Sequence, residues 1–164
     1  MSAGAELTAL LHALDTARRH VIAQVEALSE VDRRTARLPS GWTPLGLVRH
    51  LTLSDERYWF EVVIAGGSLD YWPEGEDADW LVPEGMPDAE VLAEYRSAIA
   101  ASDAILHSHD LDAAPLRPEP EWVGTGAFAD VRTIVLHVII ETSAHAGQLD
   151  AVRELADGGQ YIVV

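Results

Sequence analysis

Three residues of types that bind metal ions lie within two apolar helical patterns of this chain. Near its end, in VRTIVLHVIIETSAHAGQLDAVREL, Glu141 and His145 are four residues apart and therefore lie one helical turn apart. An unpaired carboxylate facing a core is unfavourable, but a carboxylate and an imidazole at this spacing can bind one metal ion together. His50, in GWTPLGLVRHLTLSDERYWF, lies in a second apolar helical pattern. Three such ligands from two helices would leave positions on the metal open.

Two histidines and one carboxylate with vacant positions are typical of a catalytic zinc site. The same donors also suit nickel or iron, so the ligands do not determine the metal. The spacing leaves another interpretation open, in which Glu141 and His145 form a buried hydrogen bond and His50 packs elsewhere. His137, one turn before Glu141, could replace that glutamate, support a ligand, or line the cavity or the bundle edge.

Two polar residues after His145 are candidates for contact with a substrate. Gln148 lies near the predicted ligand face and could orient a ligand or touch the substrate. Arg153 could pair with the carboxylate of a thiol substrate, or it could form an ordinary surface salt bridge. Both residues are therefore weak candidates for substrate binding.

The segments around these residues read as helices joined by long loops. Helical spacing of apolar residues predicts helices over about 5–29, 44–65, 88–108 and 128–156, with no convincing strand. Thr43 is predicted to cap the second helix and Asp88 the third. Long connections indicate an all-α four-helix bundle, with 1–164 as one domain. The loop after the second helix is long enough to allow an up-down-down-up order.

Three tryptophans lie in the two long predicted loops, 66–87 and 109–127, where packing rarely needs them. They are Trp72, Trp80 and Trp122. They could cover the metal cleft and contact an apolar substrate, or they could fix the loops to the bundle. Long loops inside a compact domain are often functional. The last residues, YIVV, could dock on the bundle or form an interface.

The composition excludes several classes of function. There are 27 acidic and 11 basic residues, and the formal net charge of −16 repels phosphate backbones, which argues against nucleic-acid binding. No apolar run approaches the ~20 residues needed to span a bilayer. The acidic N-terminal segment has no signal-peptide pattern, so we expect a cytoplasmic protein. Cysteine is absent, so any thiol chemistry needs a small-molecule thiol from outside.

The motifs GWTPLGLVRHL, ERYWF and HVIIETSAHAGQLDAVREL resemble those of the DinB-like metal-dependent four-helix-bundle superfamily, in particular its actinobacterial, mycothiol-dependent branch. The resemblance covers nearly the whole chain in helix order and spacing, and it is loose in the loops. It implies that His50, Glu141 and His145 bind a divalent metal, usually zinc, with nickel and other ions also found. Many relatives have histidine at the position of Glu141. It also implies mycothiol as a co-substrate and a possible homodimer.

An open metal site and an external thiol together suggest a reaction. The metal would lower the pKa of the thiol, and the thiolate would attack a small electrophilic substrate held beneath the loops. We therefore expect a thiol (mycothiol) S-transferase or a thiol-assisted isomerase. Two alternatives are a non-catalytic metal-binding stress-response protein and a metal-dependent hydrolase, in which water takes the place of the thiol.

Overall fold

The computed structural model describes residues 3–117 and 126–162, and within these ranges the chain forms helices and no strand. The all-α class is therefore confirmed, while the up-down-down-up order and the homodimer stay predictions. The α-helices are α1 (Ala3–Ala27), α2 (Glu30–Arg33), α3 (Pro44–His50), α4 (Asp88–Ser108) and α5 (Val131–Asp157). A π-helix, Leu51–Ile64, continues α3, and a short 3-10 turn, Ala78–Trp80, interrupts the following loop. The sequence predicted neither α2 nor this turn.

The start of the second predicted helix is confirmed, and two other starts are corrected. Thr43 caps α3, since its hydroxyl accepts a 3.0 Å hydrogen bond from the Gly46 N–H. Asp88 does not cap α4: Pro87 precedes the helix, and the Asp88 carboxylate pairs with Arg34 instead. The last helix begins at Val131 rather than near 128, because the side chain of Asp130 caps it and ends the preceding turn.

The π-helix lies where the sequence predicted an ordinary α-helix. Its Ala65 end shows the wider hydrogen bonding, with the N–H donating to the carbonyl five residues earlier. Eight of its ten buried residues form four pairs that recur every four positions, an interval longer than the 3.6 residues of an α-helical turn; Leu53 and Val62 are the other two. These pairs are Leu51 and Thr52, Asp55 and Glu56, Trp59 and Phe60, and Val63 and Ile64. Such helices are rare and often occur at functional sites, and this one begins directly after His50.

A polar layer separates two apolar clusters of the core. Along the helices, its residues come between those of the cluster around Leu14 and Phe60 and those of the cluster around Val21 and Leu51. The layer contains Arg18, Asp55, Glu56, Ser102 and Thr142, all buried. Arg18 donates to both Glu56 oxygens, at 2.7 and 2.6 Å, and to Asp103 at 2.7 Å. Burial alone would lower the pKa of Arg18, but these two carboxylates raise it, so the guanidinium stays charged.

Tyr161, which follows the last helix, packs back on the bundle. Tyr161 stacks on the His20 ring with centroids 3.7 Å apart, so this part of the tail docks as one of the two interpretations predicted. His20 is buried, and its Nε2 atom also lies 2.7 Å from a carboxylate oxygen of Asp150. Among the helices of residues 3–117 and 126–162, none has both the length and the apolar character needed to cross a membrane.

Candidate functional site

His50 and His145 lie next to each other where α3 meets α5. Their ring centroids are 5.2 Å apart and their planes are inclined by 75°. Glu141, one turn before His145, places a carboxylate oxygen 4.0 Å from the Nε2 atom of His145. Helical spacing brings Glu141 and His145 to one side of α5, and the contact between α3 and α5 adds His50. The three residues predicted as metal ligands therefore lie in one cluster.

Each histidine of this cluster is held through its Nδ1 atom. Nδ1 of His50 lies 2.6 Å from a carboxylate oxygen of Asp79, and Nδ1 of His145 lies 2.9 Å from the amide oxygen of Gln148. Both partner atoms are acceptors, so each Nδ1 is the donor of its bond, and in the neutral form of such a ring Nε2 is the nitrogen with the free lone pair. In histidines that bind metals, the ring nitrogen that does not bind the metal usually donates a hydrogen bond of this kind, which orients the ring.

The protonation of His50 favours the same arrangement. Burial lowers the pKa of His50, and the hydrogen bond to Asp79 and the charge of that carboxylate offset only part of this effect. The imidazole is therefore neutral at neutral pH, with its Nε2 lone pair available. Asp79 itself is buried, which shields this hydrogen bond from water.

The 3-10 turn covers the outer face of His50. The Trp80 indole stacks on the imidazole with a centroid distance of 3.9 Å and an angle of 14°. Gly46 on α3 allows this approach, because a Cβ atom there would lie 2.3 Å from the backbone oxygen of Trp80. Two neighbouring residues of this turn therefore hold His50. Asp79 bonds to the edge of the ring and Trp80 stacks on its face.

Glu141 is more exposed than the two histidines, with 42% of its side-chain surface accessible against 11% for His145. Across the ranges 3–117 and 126–162, no three His, Cys, Asp or Glu side chains are placed together as a ready metal site. The cluster nevertheless offers the donors that zinc prefers, two imidazole nitrogens and a carboxylate. A side-chain rotation of Glu141 is the movement that would bring the third donor towards the two rings.

Two cavities flank the turn that holds His50. Asp79 lines one of them, about 340 Å³ in volume, together with Tyr58, Trp59, Leu69 and Trp72. Trp80 lines the other, about 600 Å³, in which Trp42 also takes part. Two of the tryptophans predicted to contact a substrate therefore line cavities beside the histidine cluster. Trp122, the third, lies outside the described residues.

The other predicted substrate residues lie in different surroundings. His137 packs between the rings of Trp59 and Phe128, with centroid distances of 4.9 and 4.8 Å. Burial lowers its pKa, which the charge of Glu141 only partly offsets. Arg153 lies two turns beyond His145, where it donates to Gln24 at 2.9 Å and pairs with Asp157. These contacts place Arg153 at the packing of α1 against α5, away from the His50 ring.

Asp79 and Asp55 are acidic residues near the two histidines that the sequence patterns did not indicate. Asp79 is one of six acids in the loop 66–87, and only its position beside Trp80 distinguishes it there. Asp55 lies in the π-helix, five residues after His50, and its Oδ2 atom has no hydrogen-bond partner among the described residues. Burial raises the pKa of Asp55, and the charges of Glu56 and Glu141 raise it further. This carboxyl is therefore uncharged over a wider pH range than an ordinary aspartate.

Comparison with known proteins identifies a family for this chain. The model of a family described as Mycothiol-S-transferase matches residues 9–158, a range that contains the whole histidine cluster and both cavities. No curated protein and no solved structure matches the chain.

Proposed function

The chain belongs to the mycothiol S-transferase family, and from this membership we propose that it transfers the sulfur of mycothiol to a small electrophile at a divalent metal held by His50, Glu141 and His145. The single observation that supports the metal site is that His50 and His145 both form hydrogen bonds through Nδ1. Their Nε2 atoms are then the nitrogens that can bind a metal, and the Glu141 carboxylate lies beside His145. Zinc suits this donor set best, and nickel or iron would also fit.

The metal, when bound, would lower the pKa of the thiol and supply a thiolate at neutral pH. The protein's own residues prepare the site for this. Asp79 and Gln148 keep the two imidazoles in the tautomer that presents Nε2. Trp80 covers the face of His50 and keeps water from it. The chain has no cysteine, so the sulfur must come from an external thiol.

The cavity of about 340 Å³ is the place proposed for the electrophile. Its walls are mostly aromatic and aliphatic, from Tyr58, Trp59, Leu69 and Trp72, so a small apolar molecule would fit better than a charged one. Asp79 links this cavity to His50, because it lines the cavity and also accepts the hydrogen bond from the imidazole. An electrophile held there lies beside the residues proposed to hold the thiolate.

The transfer itself balances without a redox partner. The sulfur donates an electron pair to an electrophilic carbon, and the group displaced from that carbon leaves with the electrons of the broken bond. The proton that the thiol gave up passes to solvent. An electrophile with an activated double bond would instead add the thiolate without losing any group. Rotation about the resulting single bond, followed by expulsion of the same thiolate as the double bond re-forms, would give an isomer of the substrate. The same site would therefore support the thiol-assisted isomerase that the sequence also suggested.

The test measures metal content and thiol transfer on the same preparations. Wild-type protein and His50→Ala are analysed for metal, then assayed with mycothiol and monochlorobimane before and after chelation. We expect about one metal ion per wild-type chain, and a conjugation rate above background that chelation and His50→Ala both abolish. N-acetylcysteine serves as the comparison thiol.

Three results would contradict the proposal in different ways. Bound metal without thiol-dependent turnover would favour a non-catalytic metal-binding protein. Turnover that needs metal but no thiol would favour a hydrolase. No metal in the wild type after incubation with zinc, nickel and iron would remove the metal site altogether.

A further inference from the structure

The cavity of about 600 Å³ lies on the side of Trp80 that the mechanism above does not use. Its lining combines the aromatic residues Trp42 and Trp80 with residues that have hydrogen-bonding side chains, which are Arg34, Ser40, Thr43 and Asp77. The Trp42 and Trp80 ring centroids are 6.4 Å apart and their planes are tilted by 46°. Flat aromatic faces flanked by hydrogen-bonding groups match a sugar, which has apolar ring faces and a polar rim.

We propose that this cavity, the Trp42 cleft, binds the carbohydrate part of the thiol substrate. The inference rests on the proposed function, because mycothiol is an N-acylcysteine attached to a glucosaminyl-inositol unit. The occupant is therefore a glycoside with two six-membered rings and many hydroxyl groups. The smaller cavity, with its mainly aromatic and aliphatic walls, is left to the electrophile.

Trp80 connects the Trp42 cleft to the histidine cluster. Its ring centroid lies 3.9 Å from that of His50 and 6.4 Å from that of Trp42, so Trp80 is a direct neighbour of both rings. A thiol with its sulfur near the histidines and its sugars in the cleft would pass around the edge of the Trp80 indole. The volume of about 600 Å³ lies within the ~300–1,000 Å³ range of small-molecule pockets.

The backbone at the cleft is held in conformations that place these groups. Gly41 has φ +82°, which an L-residue rarely adopts, and it directs the chain so that Trp42 borders the cleft. Asp77 has φ +53°, the one non-glycine residue with positive φ among those described, and it starts the 3-10 turn that ends at Trp80. Strain of this kind is found where the surrounding structure must hold a residue in place, often at ligand sites.

Binding of S-methylmycothiol to the metal-free protein tests the cleft separately from transfer. This probe keeps the glycoside but has no free thiol, so neither metal binding nor turnover contributes, and calorimetry gives its Kd. We expect Trp42→Leu to weaken binding by at least about tenfold. Trp42→Phe, which keeps an aromatic face, should stay within about threefold of the wild type. Trp72→Leu, a change of the same kind in the other cavity, should leave the Kd unchanged.

The possible results of this experiment either support or overturn sugar binding in the Trp42 cleft. Equal losses in Trp42→Leu and Trp42→Phe would mean that packing rather than an aromatic face matters, and would overturn the proposal. A loss confined to Trp72→Leu would place the sugar in the other cavity and overturn it as well. Wild-type protein that transfers mycothiol but does not bind the probe would disprove the cleft and leave the function intact. Probe binding that depends on Trp42 without any transfer would support the cleft and disprove the function.

Discussion

The Oδ2 atom of Asp79 lies 2.6 Å from Nδ1 of His50, a hydrogen bond between residues 29 positions apart in the chain. It holds His50 in the tautomer that presents Nε2, so its loss should weaken a metal bound there. We expect Asp79→Ala to lower zinc affinity by about 10–100-fold, measured by competition with a chromophoric chelator. Glu76→Ala removes an exposed acid from the same loop and is the matched control. Equal affinities for the two variants would mean that Asp79 does not support a metal ligand.

The two histidines of α5 should differ in their effect on metal binding. His145 lies beside His50, whereas His137 packs against Trp59 and Phe128. We therefore expect His145→Ala to abolish tight zinc binding and His137→Ala to leave most of it, as measured by elemental analysis after dialysis. Similar losses in both variants would show that the wrong residues of α5 have been chosen.

Among the glycines that the structure describes, Gly46 should tolerate an added methyl group least. A Cβ atom there would lie 2.3 Å from the Trp80 backbone oxygen, so the 3-10 turn would have to move away from His50. We expect Gly46→Ala to lower the free energy of unfolding by about 1–3 kcal/mol and to alter the tryptophan fluorescence.

Gly147→Ala is the control for Gly46→Ala. Gly147 is an exposed position of α5 with nothing within 4 Å of its added Cβ. Because alanine favours the helix over glycine, this variant should gain about 0.5–1 kcal/mol in urea unfolding. If both variants were destabilised to the same extent, the close approach at Gly46 would not explain its effect.

The ion pair between Arg18 and Glu56 is buried on both sides, with 1% and 0% of the side-chain surface exposed. Glu56→Gln keeps the shape of the side chain but leaves the buried guanidinium with Asp103 alone. We expect a loss of about 3–5 kcal/mol in urea unfolding. Arg19→Ala, which breaks the exposed pair of Arg19 with Asp15, should change stability by less than about 1 kcal/mol. A loss from Glu56→Gln no larger than that of Arg19→Ala would show that the buried pair contributes little.

The buried carboxyl of Asp55 should make stability depend on pH. Burial raises its pKa above the ordinary value of 3.8. Between that value and the raised one, the folded chain holds a proton that the unfolded chain has lost, so the free energy of unfolding falls as pH rises. Asp55→Asn has no such proton, and the wild type should lose stability relative to it from about pH 4 upwards.

The comparison is made by urea unfolding of both proteins across pH 4 to 8, with a chelator present so that no metal acts on the carboxyl. The other acidic residues are common to both chains, and their contributions cancel in the difference. Parallel stability curves over the whole range would show that Asp55 ionises as an ordinary aspartate.

Local sequence patterns were sufficient for much of the helical framework. Apolar spacing and the cap at Thr43 predicted the second helix from Pro44 to about Ala65, and its end lies within one residue of that position. The spacing of Glu141 and His145 placed them one turn apart. Such features depend on the periodicity of a single helix and on its end groups, which short stretches of sequence contain. The sequence did not predict the π-helix, because apolar residues spaced four positions apart also fit the pattern of an ordinary α-helix.

The tertiary structure decided what surrounds the histidines. Asp79 and Trp80 reach His50 across a loop, and this contact depends on the space left by Gly46, which no periodic pattern records. The burial of Asp55 and the pairing of Glu56 with Arg18 likewise depend on how separate helices pack. Adjacent acids in a helix look alike in sequence. Only the packing of neighbouring helices gives Glu56 an arginine partner and leaves the Oδ2 atom of Asp55 without a partner among the described residues. The reason is that desolvation and charge pairing depend on distance in space and not on separation along the chain.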